Sequence, residues 1–191
     1  SDEELWWIDA SSQPERLFEQ RGVLESSGGR LLLTRDFDIW LINLETGSEQ
    51  NLTNTPDIRE CCGQWWPNNP DKILLAQYDP VREFQLGQMV VVTLGGKREI
   101  LFEEYTDTLP AISPDGQTIA FEISGIPALY HANGEIEWLT LEPADMPIVH
   151  NAGLPVWSPD GKELAWTAYF SDSESQWLIA SLIYQIETSE T

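Results

Sequence analysis

The chain has 191 residues, of which 41% are hydrophobic and 22% are charged, a composition typical of a globular protein that can bury a core. Its 10 basic and 32 acidic residues give a formal net charge of −22, which argues against nucleic acid and anionic membrane surfaces as partners. No apolar run approaches the roughly 20 residues of a membrane-spanning helix, so we expect no transmembrane segment. The charge favours a solvated surface, or attraction of cations or of a basic partner.

Taken in order, the chain consists of short apolar segments separated by turn residues, which predicts β-strands throughout. Residues 5–9 and 16–19 are predicted to form an antiparallel pair. Further strands are predicted at 22–25, 30–34, 38–44, 49–53, 61–66, 73–77, 88–94, 99–102, 118–123, 128–131, 135–139, 162–169 and 177–186. Asn133 and Gly134 predict a two-residue hairpin turn with positive φ at both residues. No segment shows the helical period of about 3.6 residues.

One sequence phrase occurs twice and sets the architecture. It runs over residues 110–121 and 155–166, and each copy places Ser-Pro-Asp-Gly between two apolar segments. Proline presets φ, aspartate can hydrogen-bond to its own backbone and glycine accepts positive φ, so each copy predicts a strand, a tight turn and a strand. The corresponding turn positions, Gly29, Asp71, Gly116 and Gly161, are 42, 45 and 45 residues apart. This spacing predicts an all-β propeller built of four-stranded antiparallel blades.

The copy at 155–166, Pro-Val-Trp-Ser-Pro-Asp-Gly-Lys-Glu-Leu-Ala-Trp, resembles the repeat of the TolB-like (WD-like) β-propeller family, and the copy at 110–121 is similar to it, with Ile112 in place of tryptophan. Residues 38–47 and 50–53 resemble the third and fourth strands of that repeat. The resemblance implies that Trp157 packs between blades and that Asp160 and Gly161 form the turn. Similar blades occur in periplasmic Tol-system proteins, prolyl-oligopeptidase-like enzymes and many extracytoplasmic bacterial proteins. A periplasmic, secreted or cell-surface location is therefore implied, and a cytoplasmic one stays open.

Strand counting from the repeated turns predicts one propeller domain over residues 1–191. Complete blades are predicted at 21–56, 57–105 and 106–144, with partial blades at 1–20 and 145–191. The first partial blade offers a third and a fourth strand, and the last offers a first, a second and a third. Two third strands would compete for one place in a closed ring. We therefore expect ring completion by residues absent from this chain or by a second chain, since an open slice would expose apolar faces.

Cys61 and Cys62 are the only cysteines, and they are adjacent. Neighbouring cysteines cannot connect distant segments, and one pair supplies too few ligands for a zinc site. The favoured interpretation is two small strand residues that face opposite sides of a sheet. A vicinal disulfide is the alternative.

Residues typical of a catalytic centre are sparse. The sequence has no Gly-x-Ser-x-Gly motif and no Ser/His/Asp arrangement with supporting spacing. His131 and His150 stand alone, and we expect both to be structural. The sequence therefore predicts no catalytic residues and no cofactor other than a possible cation.

The cation that the sequence suggests is calcium. Asp36 and Asp38 lie in one loop between strands, and Asp79 and Glu83 lie in the corresponding loop of the next blade. Carboxylates at alternating loop positions suit Ca²⁺, although neither loop has the complete spacing of a calcium-binding loop. Asp36 and Asp38 are the weak metal candidates.

Propellers bind partners at one face, through the loops before the first strand and between the second and third strands of each blade. By repeat alignment, the first set of loops contributes Arg59, Glu60, Asp107, His150 and Asn151. The second set contributes Arg35, Asp36, Tyr78, Arg82 and Tyr169. This mixture of charged and aromatic residues is typical of a recognition surface.

These observations favour a non-enzymatic module that binds a protein or a small ligand, or acts as a scaffold. One alternative is the accessory propeller of a prolyl-oligopeptidase-like or other hydrolase whose catalytic domain lies outside this chain. A second alternative is a carbohydrate-binding or carbohydrate-active propeller that would use some of the nine tryptophans as stacking platforms, although most of them lie in predicted strands.

Overall fold

A computed structural model describes residues 5–7, 15–18, 24–78, 87–102, 104, 106, 109–139, 148–152, 154–171 and 177–186. For residues 5–7, 15–18, 24–26, 148–152, 168–171 and 177–180 the backbone alone is described. Within these ranges all regular structure is β-strand, and no helix there could span a membrane.

Most strands lie close to their predicted positions, but His150 and Asn151, predicted in a loop before a first strand, lie within a strand. The first nine are β1 (Leu5–Trp7), β2 (Glu15–Phe18), β3 (Leu24–Ser27), β4 (Arg30–Arg35), β5 (Asp38–Asn43), β6 (Glu49–Asn51), β7 (Arg59–Trp65), β8 (Lys72–Tyr78) and β9 (Gln88–Thr93). The others are β10 (Arg98–Ile100), β11 (Ala111–Ile112), β12 (Thr118–Ile123), β13 (Ile126–His131), β14 (Ile136–Trp138), β15 (Ile148–Ala152), β16 (Val156–Trp157), β17 (Glu163–Ser171) and β18 (Trp177–Gln185).

Antiparallel pairing sorts the described strands into sheets that follow one another along the chain. The first, second and third complete blades are β3-β4-β5-β6, β7-β8-β9-β10 and β11-β12-β13-β14, and in each of them sequence neighbours pair. β1 and β2 form a two-stranded sheet, and β15 to β18 form the last sheet. The predicted fold class, a β-propeller with three complete blades and incomplete blades at both ends, is confirmed.

The last sheet differs from the complete blades because its first strand is divided. β16 pairs with the first part of β17, and β15 pairs with the last part of the same edge. β18 pairs with the opposite edge of β17 along its whole length. In its described residues this sheet is therefore three strands wide, because β15 and β16 together occupy the position of one strand. Among the described strands, extended contacts between sheets join neighbouring blades, and none joins β1 or β2 to the last sheet.

The hydrophobic core consists of separate layers between neighbouring blades, because residues along a strand alternate between two faces. The layer between the first and second blades contains Leu32, Ile39, Trp65, Ile73, Leu75, Val90 and Val92. The layer between the second and third blades contains Leu74, Met89, Val91, Ile119, Phe121 and Ala128. The layer between the third and last blades contains Ala120, Leu129, Leu139, Leu164 and Trp166. A central strand such as β8 contributes to two layers, which explains its uninterrupted apolar run.

The two Ser-Pro-Asp-Gly turns have the same hydrogen bonds. The serine hydroxyl donates to the aspartate carboxylate, at 2.6 Å from Ser113 to Asp115 and at 2.7 Å from Ser158 to Asp160. The serine oxygen accepts the backbone N–H five residues further on, and the aspartate accepts the one two residues further on. The repeat in sequence is therefore a repeat in turn structure.

Tryptophan indoles connect neighbouring blades. Trp157 donates to the carbonyl of Ala111 at 2.9 Å, which confirms its predicted position between blades. Trp66 donates to the carbonyl of Gly116 at 3.1 Å. Gly116 has a φ of 73°, and a Cβ there would lie 2.7 Å from the Trp66 indole nitrogen. Glycine is therefore needed at this turn both for its conformation and for the close approach of Trp66.

The hairpin at Asn133 and Gly134 differs from its prediction. Gly134 has a φ of 90°, whereas Asn133 is not in the positive-φ region. The His131 N–H donates to the Glu135 carbonyl at 2.9 Å, so the loop has three residues. Asn133 Oδ1 accepts the Glu135 N–H at 3.0 Å. Asparagine stabilises this turn through its side chain, and only glycine takes the positive φ.

The prediction that Cys61 and Cys62 face opposite sides of a sheet is wrong. The two residues are joined by a disulfide, and both are buried. Cys62 has a φ of 64°, and the β7–β8 register shifts between Cys61 and Gln64, where β7 carries one extra residue. This β-bulge interrupts the alternation of side chains that the prediction assumed, and so allows the two sulfurs to meet.

Candidate binding site

The turn between β4 and β5 has an unfavourable residue at its tip. Asp36 and Phe37 have positive φ of 54° and 66°, which defines a type I′ turn. Asparagine and glycine are favoured in such turns, and a bulky side chain is disfavoured. The corresponding turn of the third blade has Ser124 and Gly125 at 53° and 79°. Phe37 therefore stands where the third blade has glycine, and its side chain is 53% exposed.

The start of β7 and the segment before it lie against this turn. The Arg59 guanidinium carbon lies 4.5 Å from the centre of the Phe37 ring, a cation–π contact. The Glu60 N–H donates to the Phe37 carbonyl at 2.8 Å, which fixes the start of the second blade to the turn. These elements enclose a pocket of about 410 Å³, which we call the Phe37 pocket. Its lining residues are Asp36, Phe37, Asp38, Thr55, Pro56, Asp57, Ile58 and Arg59.

Asp38 holds the wall of the Phe37 pocket in place. Its Oδ2 accepts a hydrogen bond from Asn51 at 2.7 Å, and its Oδ1 accepts the Thr55 N–H at 3.0 Å and the Thr53 hydroxyl at 3.2 Å. Burial by itself would raise the pKa of Asp38, but these hydrogen bonds outweigh burial and lower the pKa below its ordinary value. The ionised Asp38 thus ties the loop after β6 to the start of β5.

Asp57 lines the same pocket as Asp36 and Asp38 and is a third carboxylate near the predicted calcium site. Both carboxylate oxygens of Asp38 already accept protein hydrogen bonds. Within the described ranges, no group of three or more acidic, histidine or cysteine side chains is arranged to hold a metal ion. Asp79 and Glu83 lie outside the described residues. Calcium at Asp36 and Asp38 stays a prediction.

Glu60 lies behind the pocket and is completely buried. Its Oε1 forms an ion pair with Arg98, which also donates to Gln77. Its Oε2 is buried and has no hydrogen-bond partner among the described residues. Because an uncompensated buried charge is strongly destabilising, Arg98 is needed for Glu60 to be tolerated here. Glu60 therefore anchors the second blade, and a partner at the surface would not reach it.

Arg35 and Tyr78 are placed beside the pocket without lining it. Arg35 forms an ion pair with Glu49 at 2.7 Å, and its guanidinium carbon lies 3.6 Å from the centre of the Trp40 ring. Tyr78 pairs with Arg59 across β7 and β8. Burial raises the pKa of Tyr78. Of the predicted site residues, the structure therefore brings Asp36, Asp38 and Arg59 together in one pocket.

The remaining predicted residues can be placed only in part. Arg82 and Asp107 lie outside the described residues. For His150, Asn151 and Tyr169 the backbone alone is described, in β15 and β17, where Asn151 pairs with Tyr169. This pairing repeats the one between Arg59 and Tyr78, so corresponding strand residues adjoin in both blades.

The sequence analysis missed several pocket residues: Phe37, Thr55, Pro56, Asp57 and Ile58. Phe37 lies between the two predicted aspartates, and the short gap between the flanking strands could have marked it as a turn tip. Residues 55–58 lie in a loop before a first strand, but their composition is that of an ordinary turn. The tryptophans offer little stacking surface for a sugar: among those whose side chains are described, Trp138 is 49% exposed and the others are more buried.

No protein-family model and no curated protein matches the sequence. Solved structures do match. A protein from Agrobacterium tumefaciens assigned as TolB has a TM-score of 0.55 at 14% identity, over 93% of this chain and 66% of that chain. Dipeptidyl peptidase 4 from Porphyromonas gingivalis has a TM-score of 0.52 at 16% identity, over 86% and 28%. A chain of a nidogen–laminin complex has a TM-score of 0.53 at 16% identity, over 81% and 62%.

These likenesses concern the fold alone, because the identities are low. The chain spans between 28% and 66% of the length of these proteins. Their common architecture agrees with the successive four-stranded antiparallel blades of the chain. The chain is a β-propeller.

Proposed function

We propose that the chain is a non-enzymatic binding module that recognises a basic segment of a partner protein at the Phe37 pocket. The observation that carries this proposal is the exposed pair of Phe37 and Arg59, bordered by Asp36, Asp38 and Asp57. An aromatic ring and an arginine at the centre of a surface pocket are the groups that most often dominate binding free energy.

The charge of the pocket indicates the chemistry of the partner. The residues that line the pocket include three aspartates and one arginine, and the guanidinium of that arginine is already stacked on Phe37. The net charge of −22 adds a long-range attraction for positive groups, which speeds encounter with a basic partner. Lysine or arginine side chains of a partner would pair with Asp36 and Asp57, while its apolar groups would cover Phe37.

The backbone of the pocket supports a functional role for Phe37. A non-glycine residue with positive φ is disfavoured by about 1–3 kcal/mol, and such residues cluster at functional sites. The third blade has glycine at the same turn position, so the fold itself does not require an aromatic residue there. Display of the ring to a partner accounts for its presence.

Binding of a short fluorescein-labelled peptide, rich in lysine and containing one tyrosine, tests the proposal by fluorescence anisotropy. We expect Phe37→Gly and Arg59→Ala each to weaken binding by about tenfold or more, the effect of losing a central contact. Asp57→Asn should weaken binding mainly at low salt, because it removes an exposed charge.

The matched control is Trp138→Ala, which removes another exposed aromatic side chain, 49% exposed and on β14, and should leave the affinity unchanged. A peptide with glutamate in place of every lysine should not bind. Equal binding of both peptides, no binding of the lysine peptide, or an unchanged affinity for Phe37→Gly and Arg59→Ala would overturn the proposal.

A hydrolase-associated propeller is the second candidate. It is favoured by the likeness to dipeptidyl peptidase 4, of which the chain matches 28%. For the location we keep the proposal of a periplasmic, secreted or cell-surface protein; the Cys61–Cys62 disulfide supports an oxidising compartment. Fractionation of the source cells, followed by detection of the chain with an antibody, tests that location.

A further inference from the structure

The Cys61–Cys62 disulfide lies directly after Arg59, which lines the Phe37 pocket, and Glu60, which lies behind it. Arg59 stacks on Phe37, and the Glu60 N–H donates to the Phe37 carbonyl. Both cysteines are about 8% exposed and belong to a cluster with Ala76. The conformation of this short part of β7 therefore determines where Arg59 stands relative to the Phe37 pocket.

We propose that Cys61–Cys62 is a reversible redox site that takes a small dithiol reductant, and that its reduction weakens binding at the Phe37 pocket. A thiolate of the reductant attacks one of the two sulfurs and the Cys61–Cys62 bond breaks. The protein sulfurs gain two electrons and two protons and become thiols, and the reductant is released as its own disulfide. The part of the inference that concerns binding rests on the proposed function.

The backbone at the disulfide shows what the bond holds in place. Cys62 has a φ of 64°, a region that residues with a Cβ rarely adopt. Pairing with β8 is interrupted between Cys61 and Gln64, where β7 has one residue more than its partner. The bond between neighbouring side chains closes a small ring that includes the peptide between them. Opening that ring allows Cys62 to return to the negative φ of an ordinary strand residue.

Contacts anchor β7 on both sides of the bulge, and those on the near side hold Arg59 and Glu60 in the positions described above. On the far side, the Gln64 amide donates to the Pro110 carbonyl at 2.6 Å, and Trp65 is buried in the layer between the first and second blades. At the bulge itself, the Cys62 N–H donates to the Thr34 hydroxyl at 3.3 Å, a weak contact. Cys62 is joined to these near-side residues through Cys61 alone, so a change of its φ would disturb the contacts of Arg59 and Glu60.

The register of residues 59–61 matters because side chains along a strand alternate between its two faces. A register slip of one residue would turn the side chain of Arg59, and likewise that of Glu60, to the face opposite the one it occupies now. Arg59 would then leave the Phe37 ring, and Glu60 would leave Arg98. Even partial loosening of residues 59–61 would remove Arg59 from the position that the pocket requires.

The first experiment counts thiols in the protein unfolded in the presence of an alkylating reagent. We expect no alkylation without reductant and two alkyl groups after treatment with dithiothreitol, measured by intact mass. Alkylation of both cysteines without reductant, in protein purified without reducing agents, would overturn the proposal.

The second experiment measures affinity for the lysine-rich peptide in the oxidised and reduced states. Reduction should weaken binding by about fivefold or more, the lower end of typical coupling between sites. The double variant Cys61→Ser/Cys62→Ser should bind as the reduced protein does. Cys61→Ser/Cys62→Gly should bind as the oxidised protein does, because glycine accepts the positive φ without the bond. Neither variant should respond to dithiothreitol.

Equal affinity of the oxidised and reduced protein, when Arg59→Ala abolishes binding, would sink the redox proposal and leave the proposed function standing. If the peptide binds neither form, the proposed function fails, and hydrogen exchange then decides the redox proposal. Faster exchange of the amides at 59–65 after reduction would support it, and unchanged exchange would overturn it. Circular dichroism of each variant establishes that it is folded.

Discussion

At the scale of single residues, the pocket is defined by an exception to turn chemistry. Asp36 and Phe37 both have positive φ, although glycine is the residue best suited to the second position and is present at Gly125 of the third blade. The sequence predicted Asp36 as a site residue but passed over Phe37, because loop aromatic residues carry no pattern. The strain that marks Phe37 lies in a backbone angle, which becomes visible only in the fold.

The strain at Phe37 predicts an inverted order of stability. At an ordinary strand or turn position, alanine is more stable than glycine by about 0.5–1 kcal/mol. At Phe37, with a φ of 66°, we expect Phe37→Gly to be more stable than Phe37→Ala by about 1 kcal/mol, because alanine keeps the Cβ that disfavours positive φ. Urea unfolding of both variants measures the difference. The same two substitutions at Ser181, an exposed residue of β18, should give the ordinary order; a lower stability for Phe37→Gly than for Phe37→Ala would contradict the prediction.

At the scale of elements, hairpins with the Ser-Pro-Asp-Gly phrase could be predicted closely, and hairpins without it could be predicted less well. The phrase fixes its own turn through local hydrogen bonds, as those of Ser113 and Asp115 show, so the sequence contains the whole determinant. The bulge at Cys62 and the divided first strand of the last blade depend on what neighbouring strands require. The packing of residues 55–59 on the Phe37 turn likewise joins segments of different blades. Such arrangements leave no local pattern.

The turn hydrogen bonds predict a loss of stability in acid. The Ser113 hydroxyl, followed by the Gln117 N–H, lowers the pKa of Asp115 below the ordinary value of 3.8. A group with a lowered pKa binds fewer protons in the folded state than in the unfolded state. Its stabilising effect is therefore complete above pH 3.8 and is lost as the pH falls through the folded-state pKa. Asp38 and Asp160 also have lowered pKa values and act in the same direction.

We expect Asp115→Asn to lower stability near neutral pH by about 1 kcal/mol, the net value of an ordinary hydrogen bond, because solvent screens this exposed carboxylate. The variant should also show a smaller decrease in the urea midpoint on acidification, because it lacks the carboxylate of Asp115, which takes up a proton on unfolding in acid. Urea titrations at a series of pH values from neutral to acid measure both effects. A decrease in the urea midpoint on acidification as large as that of the unaltered protein would contradict the prediction.

At the scale of the whole molecule, charge and layering are the dominant features. The net charge is −22, so the acidic side chains repel one another when the chain is compact. The ion pairs that the structure describes, such as Arg35 with Glu49 and Arg98 with Glu60, involve few of the acidic residues. The sequence alone was sufficient for this feature, since it depends on composition.

Self-repulsion predicts stabilisation by salt. We expect the thermal midpoint to rise as sodium chloride is added, with most of the rise completed once the Debye length falls to about 10 Å, near 0.1 M. The same measurement tests calcium at Asp36 and Asp38: at matched ionic strength, a bound calcium ion would give a higher midpoint in calcium chloride than in magnesium chloride. A midpoint that falls with sodium chloride would refute the salt prediction, and equal midpoints in calcium and magnesium chloride would contradict the calcium prediction.

The separate core layers have a consequence for how such a chain can change over evolution. Each layer is built from the facing sides of two sheets, so no side chain of the first blade packs in the layer between the third and last blades. Stability is then close to a sum of nearest-neighbour terms, as in linear repeat proteins. Whole blades can be duplicated, lost or exchanged at a cost confined to two interfaces, and a turn such as that of Asp36 and Phe37 can acquire a binding residue without requiring changes in the distant blades.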